Sequence, residues 1–189
     1  MYIVFDTETT GLPKDWKAPI SQVDNWPRLV QLGWMLFDAR HEWVADANLI
    51  VKPEGFTIPA DAARIHGISQ ARALAEGLPL QDVLAQFQQA LATAEVVVAH
   101  NLDYDEKVMG AEFIRARIRN PFEGKQMMCT KTAATAYCQL PGNYGYKWPT
   151  LGELHSKLFG TGFEDAHNAL GDVRATARSF FELRKRGIV

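Results

Sequence analysis

The 189-residue sequence has only two cysteines and no long apolar run, and both absences exclude classes of protein. Cys129 and Cys138 cannot build a disulfide framework, and their spacing is not that of a CxxC redox or zinc motif. We therefore expect a reducing, cytoplasmic compartment. No apolar stretch approaches the roughly 20 residues of a membrane span, so we expect no membrane partner. The chain begins on Met1 with a strand-like segment instead of a basic leader, and we expect the mature chain to begin there.

The sequence also lacks an excess of either charge. Its 20 basic and 22 acidic residues give a formal net charge of -2, so the surface as a whole cannot attract nucleic acid. A polyanion would have to be bound locally. Residues 107–131 offer six basic side chains against two acidic ones, namely Lys107, Arg115, Arg117, Arg119, Lys125 and Lys131. Such a segment is also typical of a solvated helix face, and both interpretations are open at this point.

The order of apolar segments predicts an α/β domain with a mixed central sheet and helices on both faces. The predicted strands are 2–6, 29–38, 43–51, 95–100 and 127–130, the second and third forming an antiparallel hairpin. The predicted helices are 60–66, a short one capped by Ser69, 80–92, 102–117, 130–137, 150–159 and 168–186. No repeat or long linker divides the chain, so residues 1–189 are predicted to form one domain. Residues 13–27 form a long irregular insert, a type of loop that is often functional.

Two acids at the end of the first predicted strand need a physical explanation. Asp6 and Glu8 lie two residues apart, so the period of a strand puts both side chains on one face. At about 4 Å and an effective dielectric of about 20, such a pair costs on the order of 4 kcal/mol. A bound cation can neutralise the pair, or both side chains can extend into solvent. For these two residues alone, extension into solvent is the simpler explanation.

Further acids follow the second buried strand and open the last helix. Asp103 and Asp105 lie in the turn after residues 95–100, and ligands of α/β sheets collect beyond the carboxyl ends of the strands. Asp103 has a sufficient local role as a helix cap, whereas capping explains Asp105 less well. Asp172 lies at the border of the apolar face of the final helix. His167 precedes it, and taken alone it is typical of a cap or an exposed side chain.

Together these acids suggest a metal site. Asp6, Glu8, Asp105 and Asp172 would supply the hard oxygen ligands that Mg²⁺ and Mn²⁺ prefer. Two such ions about 3.5 to 4 Å apart can flank one phosphate, activating water on one side and holding the leaving oxygen on the other. A histidine such as His167 can accept the proton of that water. The chemistry that needs this set is phosphodiester hydrolysis.

Three segments resemble the exonuclease motifs of the DnaQ-like 3′-5′ exonucleases, the DEDD family, in its histidine subtype. They are residues 5–11 (FDTETTG), 100–105 (HNLDYD) and 167–172 (HNALGD), in the family's order and approximate spacing. The family's domain would cover essentially the whole chain. The resemblance implies an RNase H-like fold and a two-metal exonuclease. Such an enzyme would release nucleoside 5′-monophosphates from the 3′ end of single-stranded nucleic acid, with DNA favoured and RNA also open.

The resemblance also implies a role for each matching residue. Asp6 would bridge two divalent cations, Mg²⁺ or Mn²⁺; Glu8 and Asp172 would complete one metal site and Asp105 the other; and His167 would be the general base. The terminal nucleotide would be held by the turn after the first motif and by an Ile-His-Gly segment. The residues concerned are Thr9, Gly11, Leu12, Ile65 and His66, joined by Tyr104, which stands where the family often has Phe.

Several aromatic residues allow two interpretations each. Trp16 and Trp26 in the insert either stack on bases or fill the insert's own core. Tyr144, Tyr146 and Trp148 either form a lid or anchor the helix that follows. Asp103 adds a charge beside the predicted site, and this charge affects how closely a phosphate can approach.

Two rival functions fit parts of the same pattern. A catalytically silent nucleic-acid-binding or polymerase-associated module could share the fold, although it would have no need for the complete acid set. A phosphohydrolase of free nucleotides would need the same metals. Because the chain stops at Val189, soon after the last helix, we expect a stand-alone repair or RNA-trimming enzyme at least as readily as a proofreading subunit. A homodimer and a polymerase partner both stay open.

Overall fold

The computed structural model describes residues 1–163 and 168–189. Its strands are β1 (Tyr2–Thr9), β2 (Leu29–Phe37), β3 (Trp43–Ile50), β4 (Val96–Ala99), β5 (Gln126–Cys129), β6 (Pro141–Gly142) and β7 (Gly145–Tyr146). Its helices are α1 (Ala60–His66), α2 (Gln70–Glu76), α3 (Leu80–Thr93), α4 (Leu102–Arg115), α5 (Thr130–Ala133), α6 (Thr135–Cys138), α7 (Leu151–Phe159) and α8 (Ala169–Lys185). Within the described part of the chain, no helix combines the length and apolar character that a membrane span requires.

Five strands form a mixed sheet in the order β3-β2-β1-β4-β5. The first three strands pair antiparallel, and β4 and β5 run parallel to β1. The predicted hairpin and the mixed sheet are therefore confirmed. The small hairpin of β6 and β7 was not predicted, because two-residue strands leave no periodic pattern in the sequence.

Helices cover both faces of the sheet, as predicted. On one face, the buried Phe5 of β1 packs in a cluster with Phe87 of α3 and Phe113 of α4. On the other face, Val4 packs with the buried side chains of α8, including Phe180. Successive residues of β1 thus point to opposite helical layers, so the position of an acid along β1 decides which helix it faces.

Most predicted helix boundaries agree with the structure because local signals set them. Gly67 ends α1 in the left-handed conformation with φ 73°, and the Ser69 side chain accepts the Arg72 N–H at the start of α2. The prediction of one helix over residues 130–137 was wrong, because the segment forms the two short helices α5 and α6. The hydroxyls of Thr132 and Thr135 donate to backbone carbonyls there, a contact that competes with regular helix.

The insert of residues 13–27 is held against α4 by buried charges. Glu112 of α4 is 1% exposed, and its Oε1 accepts from Arg28 Nε, Leu29 N and Arg115 at 2.9 to 3.0 Å. Arg115 also donates to the Trp26 carbonyl oxygen at 2.8 Å. Trp26 itself is 3% exposed, so it fills the insert's core instead of offering a stacking surface.

The basic segment 107–131 is neither a continuous basic patch nor a simple solvated face. Arg115 is largely buried against the insert, and Lys125 donates to the carbonyl oxygens of Leu91 and Ala94 at 2.9 and 2.6 Å. Arg119 is exposed and pairs with Glu123 at 2.6 Å. Much of the positive charge in this segment therefore serves local structure.

Two residues of β2 determine how closely α8 approaches the sheet. Gly33 pairs with Asp6 of β1, and a Cβ at Gly33 would lie 2.7 Å from the backbone carbon of Ala169 in α8. Gln31, which pairs with Glu8, is 3% exposed, and its Oε1 accepts the Ala169 N–H at 3.2 Å. Glycine in a strand interior is typical of such a close backbone approach. The first turn of α8 is thereby fixed beside Asp6 and Glu8.

We predict that Gly33→Ala lowers the free energy of unfolding by about 1 to 3 kcal/mol, because the added methyl group would displace the α8 backbone. Urea denaturation monitored by circular dichroism measures this change. Gly152→Ala in α7 is the matched control, since a Cβ there meets no atom of residues 1–163 or 168–189 within 4 Å. The control is expected to stabilise the helix by about 0.5 to 1 kcal/mol. Equal stability of the Gly33→Ala protein and the unaltered protein would contradict the close-approach argument.

Candidate active site

The end of β1 extends beyond its parallel neighbour and leaves its side chains open to one crevice. β4 pairs with β1 only from Tyr2 to Val4. Asp6 and Glu8 therefore lie past the end of β4, on the same face as Val4, and this face is covered by α8. Both acids are partly buried.

Asp172 in the first turn of α8 completes a cluster of three carboxylates. One carboxylate oxygen each from Asp6, Glu8 and Asp172 lies within 4.8 Å of the others. The cluster joins residues 166 positions apart in the sequence through the contact of α8 with β1 and β2. Three of the four predicted metal ligands are thus brought together.

The fourth predicted ligand, Asp105, lies beside this cluster and has its own hydrogen bonds. It is 3% exposed in the first turn of α4, and its Oδ1 accepts from Thr7 N at 3.1 Å and from Thr7 Oγ1 at 2.7 Å. Thr7 points to the opposite face of β1 from Asp6 and Glu8, so Asp105 approaches the end of the strand from the α4 side. Asp105 is not part of the three-carboxylate cluster.

The carboxylates raise one another's pKa, and burial does so more strongly still. Burial raises the pKa of Asp6 well above its ordinary value, and the charges of Asp105, Asp172 and Glu8 add to the effect. Burial, followed by the charges of Asp172 and Asp105, raises the pKa of Glu8 to about 8. Burial also raises the pKa of Asp105, although its hydrogen bonds from Thr7 oppose the shift. Without a neutralising partner, this site favours protons on acids that are normally ionised at neutral pH.

A divalent metal ion fits this donor set. Clustered carboxylate oxygens are the ligands that Mg²⁺ and Mn²⁺ prefer, and their mutual repulsion is the condition that a cation relieves. The fit rests on the spacing of the Asp6, Glu8 and Asp172 oxygens and on the raised pKa values of the acids. His167, the predicted general base, lies outside the described residues.

The residues predicted to hold the terminal nucleotide line one cavity next to the carboxylates. The cavity has a volume of about 510 Å³, and Glu8 forms part of its wall. Leu12 and Ile65 expose 72% and 61% of their surface there, which provides apolar faces for a flat ligand. The other predicted members of the wall are Thr9, Gly11, His66 and Tyr104.

Tyr104 holds the turn that forms one side of this cavity. Its hydroxyl donates to the Gly11 carbonyl oxygen at 2.7 Å and lies 2.6 Å from Thr9 Oγ1. Gly11 has φ 145°, a conformation that favours glycine, and the turn therefore depends on this residue as well. Burial raises the pKa of Tyr104, so the hydroxyl keeps its proton and remains a donor. In this structure the hydroxyl of Tyr104 thus holds the turn of Thr9 and Gly11.

His66 closes the other side of the cavity as a neutral, buried side chain. It is 7% exposed, and its Nδ1 accepts the Ile68 N–H at 3.1 Å. Burial lowers the pKa of His66, while the nearby backbone of Thr9 opposes the shift. Because Nδ1 is an acceptor, the ring proton resides on Nε2.

The sequence reasoning missed three supporting residues, Thr7, Gln31 and Gly33. Thr7 fixes Asp105, while Gln31 and Gly33 fix the start of α8. Two of them leave a sequence signal, because a glutamine and a glycine interrupt an otherwise apolar strand. A buried polar residue and a glycine in such a strand indicate a close approach of another element.

Comparisons with known proteins agree with this geometry. A family model described as RNase_T, exonuclease, matches residues 3–180. A DNA polymerase III subunit epsilon-like protein from Rhodobacter capsulatus is 31% identical over 186 residues, covering 96% of this chain and 23% of that protein. A PolC-type DNA polymerase III from Streptococcus pneumoniae is 30% identical, covering 95% of this chain and 11% of that protein. The chain thus spans less than a quarter of the length of either relative.

Solved structures show the same fold. E. coli exonuclease I in complex with a dT13 oligonucleotide matches with a TM-score of 0.76 and 19% identity, over 97% of this chain and 40% of that one. The zinc-bound form of its complex with single-stranded DNA matches with a TM-score of 0.74 and 20% identity, over 98% of this chain and 40% of that one. The predicted RNase H-like fold is confirmed. Since the exonuclease model spans nearly all of the chain, the protein belongs to the family of DnaQ-like 3′-5′ exonucleases that its three motifs resemble.

Proposed function

We propose that residues 1–189 form one metal-dependent exonuclease domain, which removes nucleotides from the 3′ end of single-stranded DNA and releases nucleoside 5′-monophosphates. The observation that carries the proposal is the cluster of Asp6, Glu8 and Asp172 oxygens within 4.8 Å, at the wall of a cavity of about 510 Å³. The cluster supplies the ligands, and the cavity supplies a place for one nucleotide beside them.

Two divalent cations, Mg²⁺ or Mn²⁺, would be held by Asp6, Glu8, Asp172 and Asp105. When bound, they supply an activated water and stabilise the charge that develops on the phosphate and the leaving oxygen. The protein's own part is to hold the ligands in place before binding, through the contacts of β1 with α4 and α8. The histidine subtype and the general-base role of His167 rest on the match of residues 167–172 to the third family motif.

The remaining residues would position the terminal nucleotide. Leu12 and Ile65 present apolar surface to the base and sugar, and the turn of Thr9 and Gly11 approaches with backbone and hydroxyl groups. Positioning of this kind can supply a large part of a rate enhancement, because it fixes the phosphate relative to the attacking group. His66 would support the Thr9 side of the cavity.

The descriptions of the relatives favour DNA over RNA as the substrate. The named relatives are DNA polymerase III proteins, and exonuclease I has been solved with dT13 and dA16 oligonucleotides. The same names support a role in DNA repair or proofreading and association with a polymerase. RNA trimming, a homodimer and the cytoplasmic location stay predictions from the sequence.

We predict that Asp6→Asn lowers the rate of nucleotide release by at least about 100-fold, because it removes a proposed shared metal ligand. The variant should stay folded, since it also removes one source of repulsion in the cluster. A time course on a 5′-labelled oligothymidylate with Mg²⁺, with products identified by mass, measures the loss. Asp82→Asn, an exposed acid in the first turn of α3, is the matched control with unchanged activity. Asp6→Asn protein that remains fully active in Mg²⁺ would contradict the assignment.

We predict that the metal-free protein becomes less stable as the pH rises from about 5 to about 8. The folded state holds a proton on Glu8 up to about pH 8, whereas the unfolded chain releases it near the ordinary pKa of 4.5. The contribution of Glu8 to the free energy of unfolding is thus fully present below pH 4.5, its ordinary pKa, and is lost as the pH rises to about 8, its pKa in the folded state. Each 1 kcal/mol lost should lower the Tm by about 2 to 4 °C.

Thermal melting with chelator and with Mn²⁺ at each pH measures this effect. Mn²⁺ should restore most of the lost stability at high pH, because it binds the ionised carboxylates of the folded state. Glu8→Gln should flatten the pH dependence seen in chelator. Melting curves whose pH dependence is the same with and without metal would rule out a cation site in this cluster.

We predict that Tyr104→Phe raises KM for an oligothymidylate by about fivefold and changes kcat less. The lost hydrogen bond to Gly11, worth about 1 kcal/mol, holds the turn that would contact the terminal nucleotide. Steady-state kinetics give the two constants separately. Tyr2→Phe at the opposite end of β1 is the control. An unchanged KM, or a loss confined to kcat, would be evidence against this positioning role.

A further inference from the structure

A second cavity has a wall residue in contact with the cavity that is proposed to hold the terminal nucleotide. It has a volume of about 660 Å³ and lies between the insert and the loop that precedes α7. Its walls carry Trp16 from the insert and Trp148 from the loop. Tyr104 lines the first cavity, and its ring centre lies 5.7 Å from that of Trp16, which lines the second. The pair of indoles has no role in the chemistry proposed above.

Trp16 is exposed although the backbone around it is fixed. Its side chain is 47% exposed. The Asp15 N–H donates to Asn25 Oδ1 at 2.8 Å, and Asn25 Nδ2 donates to the Asp15 carbonyl oxygen at 2.9 Å. Lys107 of α4 donates to the Trp16 carbonyl oxygen at 3.4 Å. The insert therefore presents this indole on a hydrogen-bonded turn that is tied to α4.

Trp148 is also exposed on a segment that hydrogen bonds hold in place. Its side chain is 63% exposed, and Lys131 Nζ lies 4.5 Å from the centre of its ring. The next residue, Pro149, accepts a hydrogen bond from His100 Nε2 at 3.1 Å. Burial lowers the pKa of His100 to about 4, so this ring is neutral at physiological pH. The link ties the loop to the end of β4.

The cavity wall carries both signs of charge. Asp103 and Glu106 of α4 are acidic, although Lys107 pairs with Asp103 at 3.0 Å, and Lys131 lies beside Trp148. A nucleic-acid strand fits this wall if it turns its bases toward the indoles and keeps its anionic backbone near Lys131 and away from Glu106. Flat apolar bases and an anionic backbone are the two features that such a cavity selects.

We propose that this groove, defined by Trp16, Trp148 and Lys131, binds the nucleotides that precede the 3′-terminal nucleotide of a single strand, with bases stacked on the two indoles. The inference rests on the proposed function and describes how that site would bind a longer strand. The contact of Trp16, in the wall of this groove, with Tyr104, in the wall of the terminal-nucleotide cavity, favours this occupant, because it places the groove beside the end of a strand that would lie at the carboxylates.

The test measures how the loss of kcat/KM in each variant depends on the length of the strand. For Trp16→Ala and Trp148→Ala, kcat/KM should fall about tenfold on a decanucleotide of thymidylate and much less on a dinucleotide. Trp16→Phe should retain most of the activity on the long strand, because a phenyl ring also stacks. In an Asp6→Asn background, the same substitutions should weaken binding of a labelled decanucleotide by a similar factor, as measured by fluorescence anisotropy. A loss that is equal at both lengths, or no loss at all, overturns the proposal.

A control and a separate substrate keep the two proposals distinguishable. Trp43→Ala removes an indole that is 60% exposed at the start of β3. Trp43 pairs with Phe37, which pairs with Tyr2 at the start of β1, so it lies away from the end of β1 that carries Asp6 and Glu8. Its kcat/KM should match that of the unaltered protein at every length. The unaltered protein is also assayed on the p-nitrophenyl ester of thymidine 5′-monophosphate, which has no upstream strand.

If the unaltered protein hydrolyses neither the ester nor any oligonucleotide with Mg²⁺ or Mn²⁺, the proposed function fails, and the groove with it. If it shortens oligonucleotides but the losses of the two tryptophan variants do not grow with length, only the groove fails. Thermal melting of each variant checks that it is folded, and the anisotropy measurement reports on the groove independently of turnover.

Discussion

The mutual repulsion of Asp6, Glu8 and Asp172 is the constraint around which the rest of the site is arranged. Each carboxylate makes the ionisation of its neighbours less favourable, and partial burial adds to the effect. Such a cluster persists only if other contacts hold its members in place. Here the apolar packing of α8 on the sheet, through Val4 and Phe180, provides them. These carboxylates are therefore held in position by the fold itself, which reduces the reorganisation that binding of a cation would need.

The start of α8 contributes to the same balance in two ways. Its close approach to β2, which Gly33 permits and Gln31 reinforces, brings Asp172 to the acids of β1. The approach also directs the positive end of a 17-residue helix toward the carboxylates. A helix N-terminus stabilises a nearby negative charge by about 0.3 to 1 kcal/mol, which offsets a part of the repulsion but not all of it. A divalent cation would remove the rest of the repulsion between the carboxylates.

The sequence predicted those features that depend on local patterns. The strands, the hairpin and the caps at Gly67 and Ser69 follow from periodicity and from single residues, and all are present. The structure brings Asp6, Glu8 and Asp172 together, and their roles as metal ligands stay predictions. What local patterns could not supply was the arrangement of contacts between distant segments. The hydrogen bonds from Thr7 to Asp105 join residues 98 positions apart, and the one from Ala169 to Gln31 joins residues 138 apart.

Contacts with distant segments also explain why the two tryptophans of the insert differ in exposure. Trp26 is buried and Trp16 is exposed, although both lie in irregular sequence with similar neighbours. The difference arises because Arg115, itself paired with Glu112, binds the carbonyl oxygen of Trp26 and draws that end of the insert onto α4. No local pattern in residues 13–27 encodes this contact, since both charged partners lie about 90 residues further along the chain.

Helix α4 therefore links the two parts of the surface. Asp105 in its first turn contacts the end of β1, Lys107 holds the backbone of Trp16, and Glu112 anchors the far end of the insert. A buried ion pair such as Glu112 with Arg28 and Arg115 contributes little net stability, because desolvation offsets much of its attraction. Its contacts instead specify one position for the insert relative to the helix. Since one rigid helix carries both Asp105 and the contacts of the insert, the distance between the carboxylates and the exposed indole is fixed by the geometry of α4 and not by the length of the loop.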